Sequence, residues 1–315
     1  MTIATNDLLT LIAAIPLAAI GGASFLNGVL GIAQWLRLPK LLVATTFAAF
    51  ATSSPEMAVS SMAAIAGKPG IGLGDAFGGN VVNLGLILGV ALLFGPLAAH
   101  FEEFKRDFML ALAVPILTLV LASNSTLSRS EGVLLLVLFA CWLTLLVRQA
   151  MIYRRDTPID TETPAVLERT WLFLLFLLAG LAALLVAGRL FVSGASGIAM
   201  TMGLHPYVIG ATLVAIGTSL PELVTVLLSR LRGHDDIGVG TLLGSNLFNG
   251  LAVVGVTATI APIHITFGEV AVGAGFGMIT VLLLMSRSGM IPRHRAPALI
   301  AAYCAFIFMT AAQAH

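Results

Sequence analysis

The sequence predicts an all-α polytopic membrane protein, in which ten transmembrane helices form two inverted-topology five-helix repeats. Three observations predict this fold: the composition, a gapless internal duplication and an uneven distribution of Lys and Arg. Of the 315 residues, 58% are hydrophobic and only 10% are charged, and the mean hydropathy is +1.03. These values lie outside the range of soluble globular domains and are typical of chains that cross a bilayer several times.

Composition also excludes several classes of function. The net charge is +1, which indicates no nucleic-acid partner. Cys141 and Cys304 both fall in apolar segments, so neither a disulfide framework nor a zinc site is expected. The N-terminus lacks a basic region and carries Asp7, so we interpret the first apolar segment as a retained span and not as a cleaved signal peptide.

Ten apolar stretches are candidates for spans, each of which needs about 20 residues. They are residues 8–33, 41–66, 72–96, 108–122, 131–150, 171–197, 207–229, 238–262, 269–286 and 296–313. The fourth is short, and the first and sixth are long enough to tilt or curve. Residues 151–170, which join the two halves, contain two prolines and mixed charges. We interpret them as a solvated cytoplasmic linker that is too short to hold a folded domain.

The duplication is centred on the sequence Thr-Ser-Ser-Pro-Glu at residues 52–56, which returns as Thr-Ser-Leu-Pro-Glu 166 residues later. With that shift and no gap, 16 of the 51 positions from Thr46 to Pro96 are identical, and most matches are Gly, Pro, Thr, Ser, Asn or Glu. Chance matches in an apolar chain would be Ala, Leu and Val, so this is an internal repeat. We place the first repeat at residues 1–155, with its motif at about 43–90, and the second at 156–315, with its motif at about 209–256.

Orientation follows from the cationic residues, which concentrate in cytoplasmic loops. One set of alternate loops holds thirteen of them, the opposite set holds Lys68 and Arg129, and Arg189 falls within the sixth span. The thirteen are Arg37, Lys40, Lys105, Arg106, Arg148, Arg154, Arg155, Arg169, Arg230, Arg232, Arg287, Arg293 and Arg295. Both termini are therefore predicted to be non-cytoplasmic. Five spans in each half make the repeats enter the membrane from opposite sides, which is a recurring architecture of secondary transporters.

Each copy places one carboxylate in an otherwise uncharged segment: Glu56 in residues 41–66 and Glu222 in residues 207–229. A charge at the centre of a span costs roughly 2.5–3.5 kcal/mol and is a functional hypothesis by default. A proline precedes each glutamate. Proline inside a helix removes one N–H and disturbs the carbonyl four residues earlier, which frees backbone oxygens near the carboxylate.

Helical spacing then selects a face rich in oxygen ligands. Residues three and four apart lie on one side of a helix. The residues placed in this way are Thr52 and Ser53 with Glu56, Thr218 and Ser219 with Glu222, Asn80 with Asn83, and Asn246 with Asn249. Such a set contains carboxylate, hydroxyl, amide and carbonyl oxygens without thiol or imidazole, which suits a hard cation such as Ca²⁺. Two carboxylates also neutralise one divalent ion.

The two segments resemble the α-repeats of the sodium/calcium exchanger family, in the Ca²⁺:cation antiporter superfamily, and specifically its prokaryotic type without a large regulatory loop. The second copy, with GTSLPE and GSNLFN, is highly specific for this family. The first copy departs from the pattern at Ser54, usually Leu, and at Gly79, usually Ser. The family's cation/proton branch usually carries its acid in a Gly-Asn-x-x-Glu frame, which this chain lacks.

The resemblance implies a site enclosed by helices 2, 3, 7 and 8. Glu56 and Glu222 would bind Ca²⁺ with the backbone carbonyls of Thr52 and Thr218. The residues implied in the Na⁺ sites are Ser53, Ser219, Ser245, Ala49 and Ala215, and those that line the central position are Asn83 and Asn249. Gly79 lacks the expected hydroxyl, which puts one Na⁺ site in doubt. Helices 1 and 6 would slide against the other eight during alternating access.

The predicted function is secondary antiport of Ca²⁺ against Na⁺, without a cofactor, by a protein of the plasma (inner) membrane that functions as a monomer. Two alternatives stay open. The first is a cation/H⁺ antiporter that uses the same glutamates. The second is a metal-dependent membrane-embedded enzyme, which is disfavoured because all six histidines lie at span edges or chain ends: His100, His205, His234, His264, His294 and His315.

Overall fold

The computed structural model describes residues 5–67, 69–99, 101–156, 170–201, 215–265, 267–286 and 289–312. This part of the chain is almost entirely helical, and eight of its helices are long and apolar enough to cross a membrane. The all-α membrane architecture is thereby confirmed. The ten-span count stays a prediction, because residues 207–214 of the seventh predicted span lie outside the described residues, as do 157–169 of the predicted linker.

We label the helical segments α1 to α10 in chain order. Six are single α-helices: α1 Thr5–Leu36, α4 Phe101–Leu121, α5 Arg129–Asp156, α6 Thr170–Thr201, α9 Phe267–Leu284 and α10 Ala296–Ala312. Segment α2 consists of Lys40–Val43, a π-helical turn Ala44–Ala48, Ala49–Thr52 and Ser54–Ile65. Segment α3 consists of Pro69–Val81, a π-helical turn Val82–Ile87 and Leu88–Leu93. Segment α7 is described as Ala215–Thr218 and Leu220–Leu231, and α8 consists of Asp235–Leu247, a π-helical turn Phe248–Val253 and Val254–Ile260.

The prediction that the fourth helix is short was wrong. Helix α4 begins at Phe101, seven residues before the predicted start of the span, and has 21 residues. Its first two turns contain the sequence Glu-Glu-Phe-Lys-Arg-Asp. Charged residues mark the edge of the apolar layer, but they are good helix formers and continue the helix beyond it.

The described pieces of the two halves follow the 166-residue shift. The π-helical turns Val82–Ile87 and Phe248–Val253 are separated by that number, and so are the breaks in α2 and α7. Gly67 and Gly233 follow the ends of α2 and α7 with φ values of 77° and 72°. Glycine is the residue that adopts this left-handed conformation at a helix end without steric cost.

In the described part of the chain, four two-residue strands pair the two halves with each other. Strand β1 (Leu97–Ala98) pairs with β4 (Met290–Ile291), and β2 (Thr126–Leu127) pairs with β3 (Ile263–His264), both antiparallel. Each pair therefore takes one strand from each predicted repeat. Strands β1 and β3 are 166 residues apart and β2 and β4 are 164 apart, so the two pairs follow the shift of the helices to within two residues.

Burial separates central from peripheral helices. The apolar window of α8 is 100% buried and that of α3 is 83% buried, whereas those of α5 and α6 are only 22% buried. Helices α3 and α8 thus lie inside the bundle. Helix α1 packs along α6 over most of its length, and a Cβ atom on Gly28 would lie 2.5 Å from the backbone nitrogen of Leu177.

Candidate ion-binding site

The helices break at the repeated motif. In α2 the helix ends at Thr52 and restarts at Ser54, and Ser53 between them has φ −85° and ψ 9°. Ser219 has nearly the same values in α7, φ −84° and ψ 11°. Pro55 has no N–H to donate to the carbonyl of Ala51, which instead accepts a hydrogen bond from the Ser54 hydroxyl at 2.8 Å. The second copy has no hydroxyl at the position of Ser54, because residue 220 is Leu.

The two motifs face each other across the centre of the bundle. The Ser53 hydroxyl donates to Glu222 Oε1 at 3.1 Å, and the Ser219 hydroxyl donates to Glu56 Oε1 at 3.3 Å. Both glutamates are completely buried. Each carboxylate is therefore held by a serine of the other half, which brings the predicted ligands of the two copies into one site.

The site is not symmetric, because helix α8 adds a hydroxyl and helix α3 does not. Ser245 donates to Glu222 Oε1 at 3.2 Å, so that this oxygen accepts from two serines. Gly79 is the counterpart of Ser245. A Cβ atom on Gly79 would lie 3.3 Å from Asn249 Nδ2 and 3.8 Å from Ser219 Oγ, so a small side chain there would point at the Glu56 side of the site.

Three asparagines join α3 to α8 at the same level. Asn80 Nδ2 donates to the Asn246 carbonyl at 3.3 Å, and Asn246 Nδ2 donates to the Asn80 carbonyl at 3.2 Å. Asn83 Nδ2 donates to Asn246 Oδ1 at 3.0 Å. Asn83 and Asn249 lie in the π-helical turns, a form that occurs frequently at functional sites.

Several buried polar atoms at the site have no hydrogen-bond partner within the described structure. They are Glu56 Oε2, Glu222 Oε2, Asn80 Oδ1, Asn83 Oδ1 and both amide atoms of Asn249. Buried polar groups in proteins are nearly always paired, so a cluster of unpaired oxygens needs an explanation. Carboxylate and amide oxygens are ligands that hard cations take, so this cluster is the candidate ion-binding site.

The remaining predicted ligands belong to α2 and α7. The hydroxyls of Thr52 and Thr218 donate to carbonyls of their own helices, Thr52 to Ala48 at 3.0 Å and Thr218 to Ala215 at 3.1 Å. Ala49 and Ala215 are buried, and each packs against a glycine of the opposite half: a Cβ atom on Gly244 would lie 2.7 Å from that of Ala49, and one on Gly78 would lie 4.0 Å from that of Ala215. All eleven predicted residues thus lie on α2, α3, α7 and α8.

A third acidic side chain, Asp75 of α3, contacts these residues but was not predicted from the sequence. Its Oδ2 accepts a hydrogen bond from Ser60 at 3.3 Å, and its Oδ1 accepts one from Thr218 at 3.5 Å. Asp75 lies only four residues inside the predicted third span, where a charge is expected to reach the membrane edge. The available signal was its spacing, because Asp75 is four residues before Gly79 on the face of α3 that carries the asparagines.

Comparison with known proteins identifies the family of the chain. The family described as sodium/calcium exchanger protein matches residues 7–148 and 172–312. The chain belongs to the sodium/calcium exchanger family. Among relatives of this exchanger, the inner membrane protein YrbG of Escherichia coli is 35% identical over 79% of this chain and 77% of its own. The sodium/calcium exchanger MaX1 of Methanosarcina acetivorans is 28% identical over 91% of this chain and 93% of its own.

A solved structure of the sodium-calcium exchanger NCX_Mj, soaked with 10 mM Na⁺, matches with a TM-score of 0.82 and 28% identity. The match covers 96% of this chain and 98% of that one. The family resemblance read from the motifs is confirmed, and so is the prediction that the chain is not an enzyme, because its relatives are transporters. This exchanger is an integral membrane protein of a family that transports Ca²⁺ and Na⁺ in antiport.

Proposed function

We propose that this exchanger moves Ca²⁺ against Na⁺ by alternating access at the site between α2, α3, α7 and α8, with Glu56 and Glu222 as the charged ligands. One observation carries the proposal. Each glutamate is fully buried with one oxygen held by a serine of the other half, while its second oxygen has no partner in the described structure. This is the arrangement expected of a preformed cation site.

The chemistry of the ligands accounts for both ions. Two carboxylates balance the charge of one Ca²⁺, and hydroxyl, amide and backbone oxygens complete a set of hard ligands. The Thr52 and Thr218 carbonyls complete the Ca²⁺ shell, and Asn83 and Asn249 line the central position. The Na⁺ positions share the glutamates and use Ser53, Ser219, Ser245, Ala49 and Ala215. Na⁺ and Ca²⁺ then compete for the same two carboxylates, which couples their movements without a cofactor.

Alternating access requires one part of the protein to move while the site stays assembled. The interlocked contacts of α2, α3, α7 and α8 argue for a fixed core. Helices α1 and α6 pack chiefly on each other, both also touch α7, and α1 touches the start of α2. We assign the movement to this pair, which slides across the core and exposes the site to one side of the membrane at a time.

We place the protein in the plasma membrane as a functional monomer, with both termini non-cytoplasmic and with repeats at residues 1–155 and 156–315. The excess of Lys and Arg in one set of loops supports the orientation. The printed name of the relative YrbG, an inner membrane protein, supports the membrane.

Flux of radioactive Ca²⁺ into proteoliposomes tests the function. We expect an outward Na⁺ gradient to drive Ca²⁺ uptake, and an imposed pH gradient without Na⁺ to drive none. Glu56→Gln protein in matched vesicles measures the leak. Uptake driven by the pH gradient alone would replace the proposal with the cation/H⁺ alternative. Uptake that is the same in wild-type and Glu56→Gln vesicles would remove the glutamate site from the mechanism.

A further inference from the structure

We propose that Asp75 is a third acidic ligand of the transport pathway, and that with Ser60 and Thr218 it forms an additional position for a monovalent hard cation, Na⁺. This inference deepens the proposed function and rests on it. We call these three residues the Asp75 position. It lies beside the glutamate pair on the side of Glu56. On this side α3 has Gly79, which lacks the hydroxyl that its counterpart Ser245 provides to Glu222.

The geometry links the Asp75 position to both halves of the protein. Ser60 of α2 is four residues after Glu56, so it lies about 6 Å further along the same face of the helix. Its hydroxyl donates to Asp75 Oδ2 at 3.3 Å, and also to the carbonyl of Gly72 at 3.2 Å. Thr218 of α7 donates to Asp75 Oδ1 at 3.5 Å. Thr218 directly precedes Ser219, which holds Glu56, so the two positions share a segment of α7.

The charges at the site show why a cation belongs there. Asp75 interacts electrostatically with Glu56 and with Glu222, and all three carry the same sign when ionised. Glu56 Oε2 is fully buried and has no hydrogen-bond partner in the described structure. A cation bound among these carboxylates relieves their mutual repulsion.

The Asp75 position is separate from the cation site formed by Glu56 and Glu222. No three acidic, His or Cys side chains among the described residues are arranged around a single metal ion. The counterpart of Asp75 in the second half is Thr241, whose buried hydroxyl is also unpaired there and carries no charge. The second half instead has Ser245, which donates to Glu222. Helix α3 therefore supplies a carboxylate at residue 75 where it lacks a hydroxyl at residue 79.

Charge balance gives the class of ligand. Two glutamates compensate one Ca²⁺, and the third carboxylate leaves one negative charge that a single monovalent cation neutralises. The ligands are all oxygens, which suits Na⁺. Asp75 is also less deeply buried than the glutamates, as expected of a binding position nearer to the entrance of the ion pathway.

The experiment compares purified wild-type protein with Asp75→Asn, which keeps an oxygen that can accept the hydrogen bonds but removes the charge. Binding is read from the thermal stabilisation that Na⁺ and, separately, Ca²⁺ produce. We expect Asp75→Asn to raise the half-saturating Na⁺ concentration about fivefold and to lower the Hill coefficient for Na⁺. The half-saturating Ca²⁺ concentration should change less than about twofold. Asp236→Asn, the same charge change at the start of α8, is the matched control and should leave both values unchanged.

A second variant separates charge from ligand number. Adding Gly79→Ser to Asp75→Asn supplies a hydroxyl beside Ser219 and should lower the half-saturating Na⁺ concentration again, without restoring the Hill coefficient. An unchanged Na⁺ titration in Asp75→Asn overturns the proposal, and so does an equal weakening of both ions. If Asp75→Asn is not recovered folded, Ser60→Ala is titrated in its place and judged by the same outcomes.

The outcome of these titrations can be told apart from a failure of the proposed function. A wild-type protein that binds Na⁺ with a normal titration but shows no Na⁺-driven Ca²⁺ flux contradicts the antiport proposal. A protein that transports normally, and whose Na⁺ titration does not respond to Asp75→Asn, contradicts only the Asp75 position.

Discussion

Asn80 and Asn246 exchange hydrogen bonds in which each side-chain amide donates to the backbone carbonyl of the other residue, at 3.3 and 3.2 Å. The two residues are 166 positions apart, so each plays the role of the other in its own half. A contact of this reciprocal kind is the signature of a two-fold relation. It fixes α3 against α8 directly beside the residues proposed to bind ions.

The Asn80 and Asn246 bonds should contribute to stability. Asn80→Ala and Asn246→Ala each leave a buried carbonyl without its donor, so we expect each to lower the free energy of unfolding by about 1–3 kcal/mol. Because the pair acts as a unit, the double variant should lose less than the sum of the two. Chemical or thermal unfolding in detergent measures this, with Gln34→Ala, an exposed amide, as the control. Strict additivity would show that the two bonds are independent.

Neutralising either buried glutamate should abolish Ca²⁺ transport. Glu56→Gln and Glu222→Gln remove one of two negative charges that balance a divalent ion in a low-dielectric site. We expect folded protein with Ca²⁺ flux reduced at least about 100-fold. Glu131→Gln, at the start of α5, should transport normally. Near-normal flux in either site variant would show that the central assignment is wrong.

The asymmetry between Ser245 and Gly79 should appear in the Na⁺ dependence. Ser245→Gly removes a hydroxyl from Glu222, and we expect it to raise the half-saturating Na⁺ concentration several-fold, with a smaller effect on Ca²⁺. Gly79→Ser should lower that concentration if Asn249 moves by a few tenths of an ångström to admit the side chain. A Na⁺ titration of flux at fixed Ca²⁺ decides it. An unchanged value in Ser245→Gly would exclude residue 245 as a Na⁺ ligand.

The close contact of α1 with α6 should be needed for transport more than for ion binding. A Cβ atom on Gly28 would lie 2.5 Å from the Leu177 nitrogen, and one on Gly180 would overlap the Phe25 nitrogen. We expect Gly28→Ala and Gly180→Ala to slow Ca²⁺ flux about tenfold while Ca²⁺-dependent thermal stabilisation persists. Gly275→Ala in α9 has open space at its Cβ and is the control. Loss of both Ca²⁺ binding and Ca²⁺ flux would show that the α1–α6 contact is needed for the binding site and not specifically for the helix movement.

The sequence by itself determined the features that arise within one segment. Apolar stretches of membrane length predicted helices, because a span must satisfy its own backbone hydrogen bonds. The proline in each motif predicted the breaks now described at Ser53 and Ser219, because a missing N–H acts on the adjacent turn. The gapless shift between the copies predicted which residues correspond, and the two glutamates stood out because a buried charge needs a reason.

Only the tertiary structure decided which of these groups meet. The spacing of residues within one helix does not show that Ser53 donates to the glutamate of the other half. Nor does it show that Asn80 and Asn246 each donate to the backbone carbonyl of the other. Asp75 was not predicted as a site residue, and only the packing of α2 and α7 brings Ser60 and Thr218 against it. Helical periodicity assigns a side chain to a face of its own helix, whereas its partner depends on how distant segments fill space around the same centre.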